Sequence, residues 1–244
     1  MNSYLKMANI LQIRHNKEFC HFFGLPRTML GVFAHPDDES LLMGGTLALA
    51  HGEGVHTSLV TVTRGELGGK FSGIYGKELA MMRSHELVDA VRILSIESLH
   101  QMKFPDKGVH GAKREVRNAL IDIISKNKPQ LIITHDGFDL TQHRDHLATA
   151  QAVIDATTQI HPQWTYRVFF ATLKPNADHV TYALDIQNHS NVKIQACNAH
   201  ASQGLFRHTQ LPLGVYYALN HFEYFMPYEH ETKADDKRHH SDKK

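Results

Sequence analysis

Short apolar runs alternate with longer amphipathic stretches along most of this 244-residue chain. Runs rich in β-branched and large apolar residues predict buried strands at 28–34, 55–63, 98–104, 130–135 and 166–173. Apolar residues three and four positions apart predict helices between them, at 39–54, 77–94, 112–127 and 145–160. Strands that alternate with helices form βαβ units. We therefore expect an α/β fold with a mostly parallel sheet that is covered by helices on both faces.

The chain is predicted to form a single domain, which we place at residues 28–227. The last part of this domain is less regular, and its predicted elements are strands at 179–186 and 214–225 and a helix at 191–203. Residues 1–27 form an N-terminal extension. The charged segment 228–244 has no apolar period, which is typical of disorder.

Composition and charge exclude several classes of protein. The formal charge is +1 at pH 7, whereas proteins that mainly bind nucleic acid usually carry a basic footprint. Two cysteines, Cys20 and Cys197, are too few for a disulfide framework. The N-terminus lacks the apolar core of a signal peptide, and no apolar run approaches the length of a membrane-spanning helix. We therefore expect a soluble, cytoplasmic protein with no nucleic-acid partner and no membrane span.

Polar side chains capable of chemistry, with one glycine beside them, follow four of the predicted strands. They are His35, Asp37 and Asp38 after the first strand, Arg64, Gly65 and Glu66 after the second, Asp106 after the third, and His135, Asp136, His143, Asp145 and His146 after the fourth. In an open α/β sheet, ligands bind beyond the carboxyl ends of the strands. Because these four ends share one edge of the sheet, the residues are predicted to converge on one site.

Histidine and carboxylate in this arrangement indicate a divalent metal ion. His35 and Asp38 are three residues apart at the start of a helix and can face one point, and His146 opens a later helix. Two histidines and one carboxylate leave a position open for water, as in catalytic zinc sites, and also form the facial triad of non-haem iron enzymes. Asp37 would lie beside that water as a general base. A plain acidic helix N-terminus would explain Asp37, Asp38 and Glu39, but it would not explain His35.

Five motifs, in chain order, resemble those of the LmbE-like (PIG-L) metal-dependent deacetylases. They are AHPDDE at 34–39, TRGELG at 63–68, RSHE at 83–86, QHRDH at 142–146 and KIQACNAHASQ at 193–203. Members of this family remove an acyl group, usually acetyl, from N-acylated glucosamine in small conjugates. The resemblance extends over residues 30–205 and implies a Rossmann-like fold.

The resemblance also implies roles for individual residues. It implies one Zn²⁺ per chain, held by His35, Asp38 and His146. Asp37 matches the general base of the family. His143 matches the histidine that stabilises the developing oxyanion or protonates the leaving amine, and Asp145 matches the carboxylate that supports this histidine.

Three further residues fall where the resemblance implies substrate contacts. Arg83 and Asp106 match positions that grip sugar hydroxyls, and His200 is the residue of the last motif most able to reach substrate. Each also has a structural explanation. Arg83 could be a solvated partner of Glu86, Asp106 a turn residue and His200 a packed histidine.

Two residues near the predicted metal lack an implied role. Arg144 replaces a proline that is usual in the family. Turned inward, its guanidinium would select a substrate with an acidic group, and turned outward it would be a solvated arginine. Glu66 is well placed to support a metal ligand from behind.

Together these features predict a zinc-dependent hydrolase that removes the N-acetyl group from an N-acetylglucosamine-containing small conjugate. Its partner would be a small amino-sugar conjugate, while Fe²⁺ or another divalent ion in place of zinc, and a homo-oligomeric state, stay open. One alternative is an amidase that acts on a larger thiol conjugate or an acylated natural product. Another is a non-catalytic metal- or nucleotide-binding module on the same fold. Asp37 argues against this module, because binding a metal requires no base.

Overall fold

The sheet of the protein has eight strands in the computed structural model, which describes residues 10–13, 23–137, 142–160, 164–173, 181–204 and 221–228. The strands are β1 (Ile10–Ile13), β2 (Thr28–Phe33), β3 (His56–Thr63), β4 (Ser98–Phe104), β5 (Leu131–His135), β6 (Arg167–Thr172), β7 (Thr181–Asp185) and β8 (Phe222–Pro227). Their order is β1-β7-β8-β6-β5-β2-β3-β4. Every pairing is parallel except those of β8, which runs antiparallel to β6 and β7.

Five α-helices connect or follow these strands in the described part of the chain. They are α1 (Asp38–Gly52), α2 (Gly76–Ile93), α3 (Lys113–Asn127), α4 (Arg144–Gln159) and α5 (Ser190–Ala199). The predicted single-domain α/β fold is therefore confirmed, with most bounds within one or two residues of those expected. The predicted helix at 191–203 is too long. Backbone dihedrals leave the helical region at His200 (φ −79°, ψ 55°), and a short 3₁₀ turn, Ala201–Gln203, follows.

Strands β2, β3 and β5 are buried on both faces because helices pack on each side of the sheet. In β2, Met29 and Phe33 contribute to one apolar core, with residues of α1, α2 and α5. Leu30 and Val32, which point to the opposite face, contribute to a second core with residues of α3 and α4. The predicted strand 214–225 falls partly outside the described residues, and its described part belongs to β8.

Helix α1 is kinked, and a buried ion pair occupies the kink. Met43 has non-helical dihedrals (φ −147°, ψ 23°), so the chain restarts its helix at the following residues. The Glu223 carboxylate accepts hydrogen bonds from the backbone N–H groups of Gly45 (2.9 Å) and Thr46 (2.8 Å). Lys193 Nζ lies 2.8 Å from Glu223 Oε1, and both side chains are buried. The pair fastens α1 and α5 to the antiparallel strand.

Two segments near the termini of the chain complete the description. Strand β1 pairs in parallel with β7 at the edge of the sheet, within the segment assigned to an N-terminal extension. The charged segment after Tyr228 lies outside the described residues. Among the described residues, no helix combines the length and the apolar character that crossing a membrane requires.

Candidate active site

Three predicted metal ligands meet at the carboxyl end of β2, which lies between β3 and β5 in the sheet. His35 Nδ1 lies 3.2 Å from His146 Nε2. The Asp38 carboxylate is 3.4 Å from His35 Nδ1 through one oxygen and 3.4 Å from His146 Nε2 through the other. Asp38 reaches this position because it begins α1, while His146 lies in the first turn of α4.

These separations fit a small divalent ion. Ligand atoms that hold zinc tetrahedrally at about 2.0–2.1 Å lie about 3.3–3.4 Å from one another. The donor set, two imidazoles and one carboxylate, is also one that zinc uses in catalytic sites. Burial opposes the charged form of Asp38, but the neighbouring rings of His146, His135 and His35 outweigh it and hold the Asp38 pKa well below its usual range. The carboxylate is therefore ionised and ready to bind a cation.

A second trio, Asp38, His135 and His146, also brings ligand atoms within 4.8 Å of one another. His135 Nε2, however, accepts a hydrogen bond from the backbone N–H of Ala34 (3.0 Å). This bond occupies the lone pair that a metal would need. Burial lowers the pKa of His135 to about 4, so the ring is neutral, and it stacks on His146 with centroids 4.0 Å apart. His135 thus orients His146, a role that the sequence analysis did not assign.

The predicted base, Asp37, precedes α1 in a left-handed conformation with φ 113°. Few non-glycine residues adopt this region, and such strain persists only where surrounding contacts fix it. Arg83 Nη2 lies 3.1 Å from Asp37 Oδ1, and the same guanidinium donates to the carbonyls of Pro36 and Gly65. Gly65 is required here, because a Cβ at this position would lie 2.0 Å from Arg83 Nη1. The loop after β3 therefore closes directly over the guanidinium.

The opposite side of Asp37 is held by a buried Glu39–His200 pair. Glu39 Oε2 accepts a hydrogen bond from the Asp37 backbone N–H (3.0 Å), and Glu39 Oε1 lies 2.8 Å from His200 Nε2. Burial raises the pKa of Asp37 to about 6, against the lowering effect of the Arg83 charge. A carboxylate with this pKa can accept a proton near neutral pH, as a general base must.

His143 is placed to donate a proton toward the same site. Its ring centroid lies 4.7 Å from that of His35 and 4.7 Å from that of His146. His143 precedes α4, and its Nδ1 accepts a hydrogen bond from the Asp145 backbone N–H (3.3 Å). Burial lowers the pKa of His143. A neutral ring whose Nδ1 accepts a hydrogen bond carries its proton on Nε2, which is then the donor nitrogen of the ring.

Asp106 and Asp145 lie behind His35. His35 Nε2 is 3.2 Å from Asp106 Oδ1 and 3.5 Å from Asp145 Oδ2. Glu66, predicted to support a metal ligand, acts one step further out, since its Oε1 accepts from the backbone N–H of Asp106 (3.0 Å).

The other predicted substrate residues differ in exposure. Arg83 is only 3% exposed, and Glu86 accepts hydrogen bonds from Ser202. Arg83 is therefore not a solvated partner of Glu86, which was one structural explanation for this residue. His200 is fully buried behind Glu39, whereas Arg144 opens α4 and is exposed.

A pocket of about 350 Å³ lies between α2 and the 3₁₀ turn that follows α5. Its lining is Phe71, Ser72, Met82, Glu86, Ala201, Ser202 and Gly204. Glu86 lies one turn after Arg83 on α2, so the two side chains share a face of the helix. The pocket thus neighbours the arginine that holds Asp37.

Known proteins with similar sequences and structures identify the family. Residues 30–157 match the family model PIG-L, GlcNAc-PI de-N-acetylase. A Bacillus anthracis protein named "Probable N-acetyl-alpha-D-glucosaminyl L-malate deacetylase 2" is 31% identical over 197 residues, which cover 76% of this chain and 85% of the relative. Diacetylchitobiose deacetylase of Thermococcus kodakarensis is 27% identical, with 72% of this chain and 70% of the relative covered. The structure of N,N'-diacetylchitobiose deacetylase from Pyrococcus horikoshii matches with a TM-score of 0.64 and 26% identity, over 74% of this chain and 72% of that one. With a family model that covers more than half of its length, and with these relatives, the chain belongs to the PIG-L family.

Proposed function

We propose that the protein is a metal-dependent N-deacetylase that removes the acetyl group from a small conjugate of N-acetylglucosamine. The observation that carries the proposal is the approach of His35 Nδ1, Asp38 and His146 Nε2 to within 3.2–3.4 Å of one another. A carboxylate with a raised pKa, Asp37, follows the first of these ligands by two residues. Relatives named as deacetylases of N-acetylglucosaminyl L-malate and of diacetylchitobiose support the substrate class.

His35, Asp38 and His146 would hold one zinc ion per chain. When bound, the ion would polarise the acetamide carbonyl and lower the pKa of a coordinated water. Asp37 accepts the proton of the attacking water, and Arg83 keeps its carboxylate oriented toward that proton. His143 donates its Nε2–H to the oxygen that becomes negative as the carbonyl carbon turns tetrahedral. The proton taken by Asp37 then passes to the departing amine, so that acetate and a free glucosamine conjugate are released.

The pocket that neighbours Arg83 is a candidate place for the rest of the substrate. The pocket of about 350 Å³ combines an aromatic ring, Phe71, with the hydroxyl groups of Ser72 and Ser202. Such a lining suits a polar group with apolar faces, as a sugar or its substituent has. We assign the group attached to the sugar to this pocket.

The proposal is tested by measuring the release of free amine and acetate from a panel of N-acetylglucosamine conjugates. The panel contains an L-malate conjugate, diacetylchitobiose and an N-acylated amide without a sugar. We expect zinc-loaded enzyme to act on at least one sugar conjugate, and metal-stripped enzyme to lose this activity and regain it on zinc addition. Activity on the sugar-free amide alone would favour a general amidase. No turnover by zinc-loaded enzyme on the panel, with tight zinc binding, would favour a binding module.

A further inference from the structure

The imidazole of His35 has two different environments. Nδ1 faces Asp38 and His146, whereas Nε2 points away from them, toward two carboxylates. Asp106 Oδ1 lies 3.2 Å from Nε2, and Asp145 Oδ2 lies 3.5 Å from it. His35 and Asp106 are each 7% exposed, and Asp145 is fully buried. One ring nitrogen therefore shares a buried space with two acidic groups.

Backbone N–H groups fix the Asp145 carboxylate. One Asp145 oxygen accepts from Lys107 (2.6 Å) and the other accepts from Val109 (3.2 Å). Both donors belong to the loop that follows β4. Turning this carboxylate toward His143 would leave these donors without an acceptor, which destabilises a buried N–H group.

Asp106 is fixed in the same way by the loop that follows β3. Its Oδ2 accepts from the Leu67 N–H (2.9 Å), while the Glu66 carboxylate accepts from the Asp106 N–H (3.0 Å). The two loops thus exchange hydrogen bonds, each giving a carboxylate to the other's backbone. Turning Asp106 outward to a sugar hydroxyl would break this exchange.

From this geometry we propose that Asp106 and Asp145 are positioning residues that act on the metal through His35. His35 then binds the ion through Nδ1 and donates its Nε2–H to the two carboxylates. This inference rests on the proposed metal dependence. It reassigns Asp106, which the resemblance makes a sugar contact, and Asp145, which the resemblance makes a support for His143.

The chemistry of metal-bound histidine gives the expected effect. A carboxylate that accepts the second N–H of a histidine ligand fixes its tautomer and makes its other nitrogen a better donor. Removing such a partner weakens metal binding about 10–100-fold. A residue that only touches substrate would leave metal affinity unchanged and raise KM.

The first test compares zinc dissociation constants, measured by competition with a chelating indicator, for wild type, Asp106→Asn and Asp145→Asn. Asparagine keeps the shape of each side chain and removes its charge. Asp89→Asn is the matched control, because Asp89 is an exposed aspartate paired with Arg92 on α2. We expect each site variant to bind zinc about 10–100-fold more weakly, and the control to bind it like wild type. At saturating zinc, both site variants should have KM within about twofold of wild type. Wild-type zinc affinity together with a raised KM would overturn the inference.

A second measurement uses the unmodified, zinc-loaded protein and so does not depend on the folding of variants. Long-range ¹H–¹⁵N spectra of histidine side chains distinguish a metal-bound nitrogen from a protonated one. We expect His35 to show a coordinated Nδ1 and a protonated Nε2, and coordination through Nε2 would contradict the inference. A wild type that binds no zinc would overturn the proposed function as well, whereas zinc binding unaffected by either substitution would overturn only the roles of Asp106 and Asp145.

Discussion

Replacing Arg83 with methionine should move the pH profile of catalysis. The Arg83 guanidinium is the cation nearest to the Asp37 carboxylate, at 3.1 Å, and its side chain is only 4% exposed. Methionine fills a similar volume without the charge. The variant therefore leaves the Asp37 carboxylate buried without this cation, and the pKa of Asp37 must rise above its value of about 6.

The size of the effect follows from the pKa of the base. A neighbouring opposite charge lowers a carboxyl pKa by about 1–3 units, so its loss should raise the pKa of Asp37 by a similar amount. A general base works only when ionised. The charge of bound zinc lowers this pKa in wild type and variant alike, so the predicted quantity is the shift between the two proteins and not either value. The acidic limb of kcat/KM should therefore move upward by about two pH units. On that limb, activity at a given pH should fall about tenfold for each unit of the shift, and it should recover on the plateau at higher pH.

The assay is kcat/KM against pH from 5 to 10 on the best substrate of the deacetylation panel, with zinc saturating. Arg83→Lys is the matched control, because it keeps the charge and loses part of the contact with the carbonyls of Pro36 and Gly65. We expect this control to lower the plateau of the profile and to leave its acidic limb near the wild-type position. An unshifted limb in Arg83→Met, with KM alone raised, would refute the reasoning and return Arg83 to the role of a sugar contact.

Three further substitutions test other parts of the structure. Asp37→Asn should keep one metal equivalent per chain, by elemental analysis, while kcat falls about 100-fold or more, and wild-type turnover would remove Asp37 from the mechanism. His143→Ala should lower kcat with little change in KM in steady-state assays, because its partner charge exists only in the transition state, and a pure KM effect would make it a binding residue. Lys193→Met should lower the free energy of unfolding in urea by about 3–5 kcal/mol, since it leaves the Glu223 carboxylate buried and unpaired. Adding Glu223→Gln should recover part of this loss, and additive losses would contradict a direct ion pair.

The sheet and its covering helices follow from the pattern of apolar residues. Apolar runs such as 29–34 and 131–133 are typical of strands that are buried on both faces, and they lie in or next to β2 and β5. The topology then places the carboxyl ends of these parallel strands at one edge. The proximity of His35, Asp38 and His146 therefore follows from sequence spacing and one rule of sheet architecture. The contact between Glu223 and α1 could not be predicted in this way, because it depends on the position of the antiparallel strand β8.

Two contacts of the site were not predicted from the sequence, and in both a polar residue occupies an interior position. Arg83 lies four residues after Leu79 and four before Leu87, on the buried stripe of α2. This spacing signals burial, but a charged residue is rarely fully buried unless it is paired, and its partner Asp37 lies far away in the chain. His135 ends β5 and is buried, yet its contact with His146 depends on how α4 returns over the sheet. Pairings of this kind depend on tertiary packing, which the sequence pattern leaves undetermined.

The structure also accounts for three consecutive carboxylates at the end of a buried strand. Asp37, Asp38 and Glu39 each face a different group. Asp37 lies 3.1 Å from Arg83, and Glu39 lies 2.8 Å from His200. Asp38 lies 3.3–3.4 Å from three histidines, which are His35, His135 and His146. Asp37 has a left-handed backbone (φ 113°) and directly precedes α1, which begins at Asp38. This change of backbone conformation lets neighbouring side chains point in different directions. A metal ion alone would offset only part of this charge. The arginine of α2 and the histidine after α5 therefore complete the AHPDDE motif, because each neutralises a carboxylate that is not one of the proposed metal ligands.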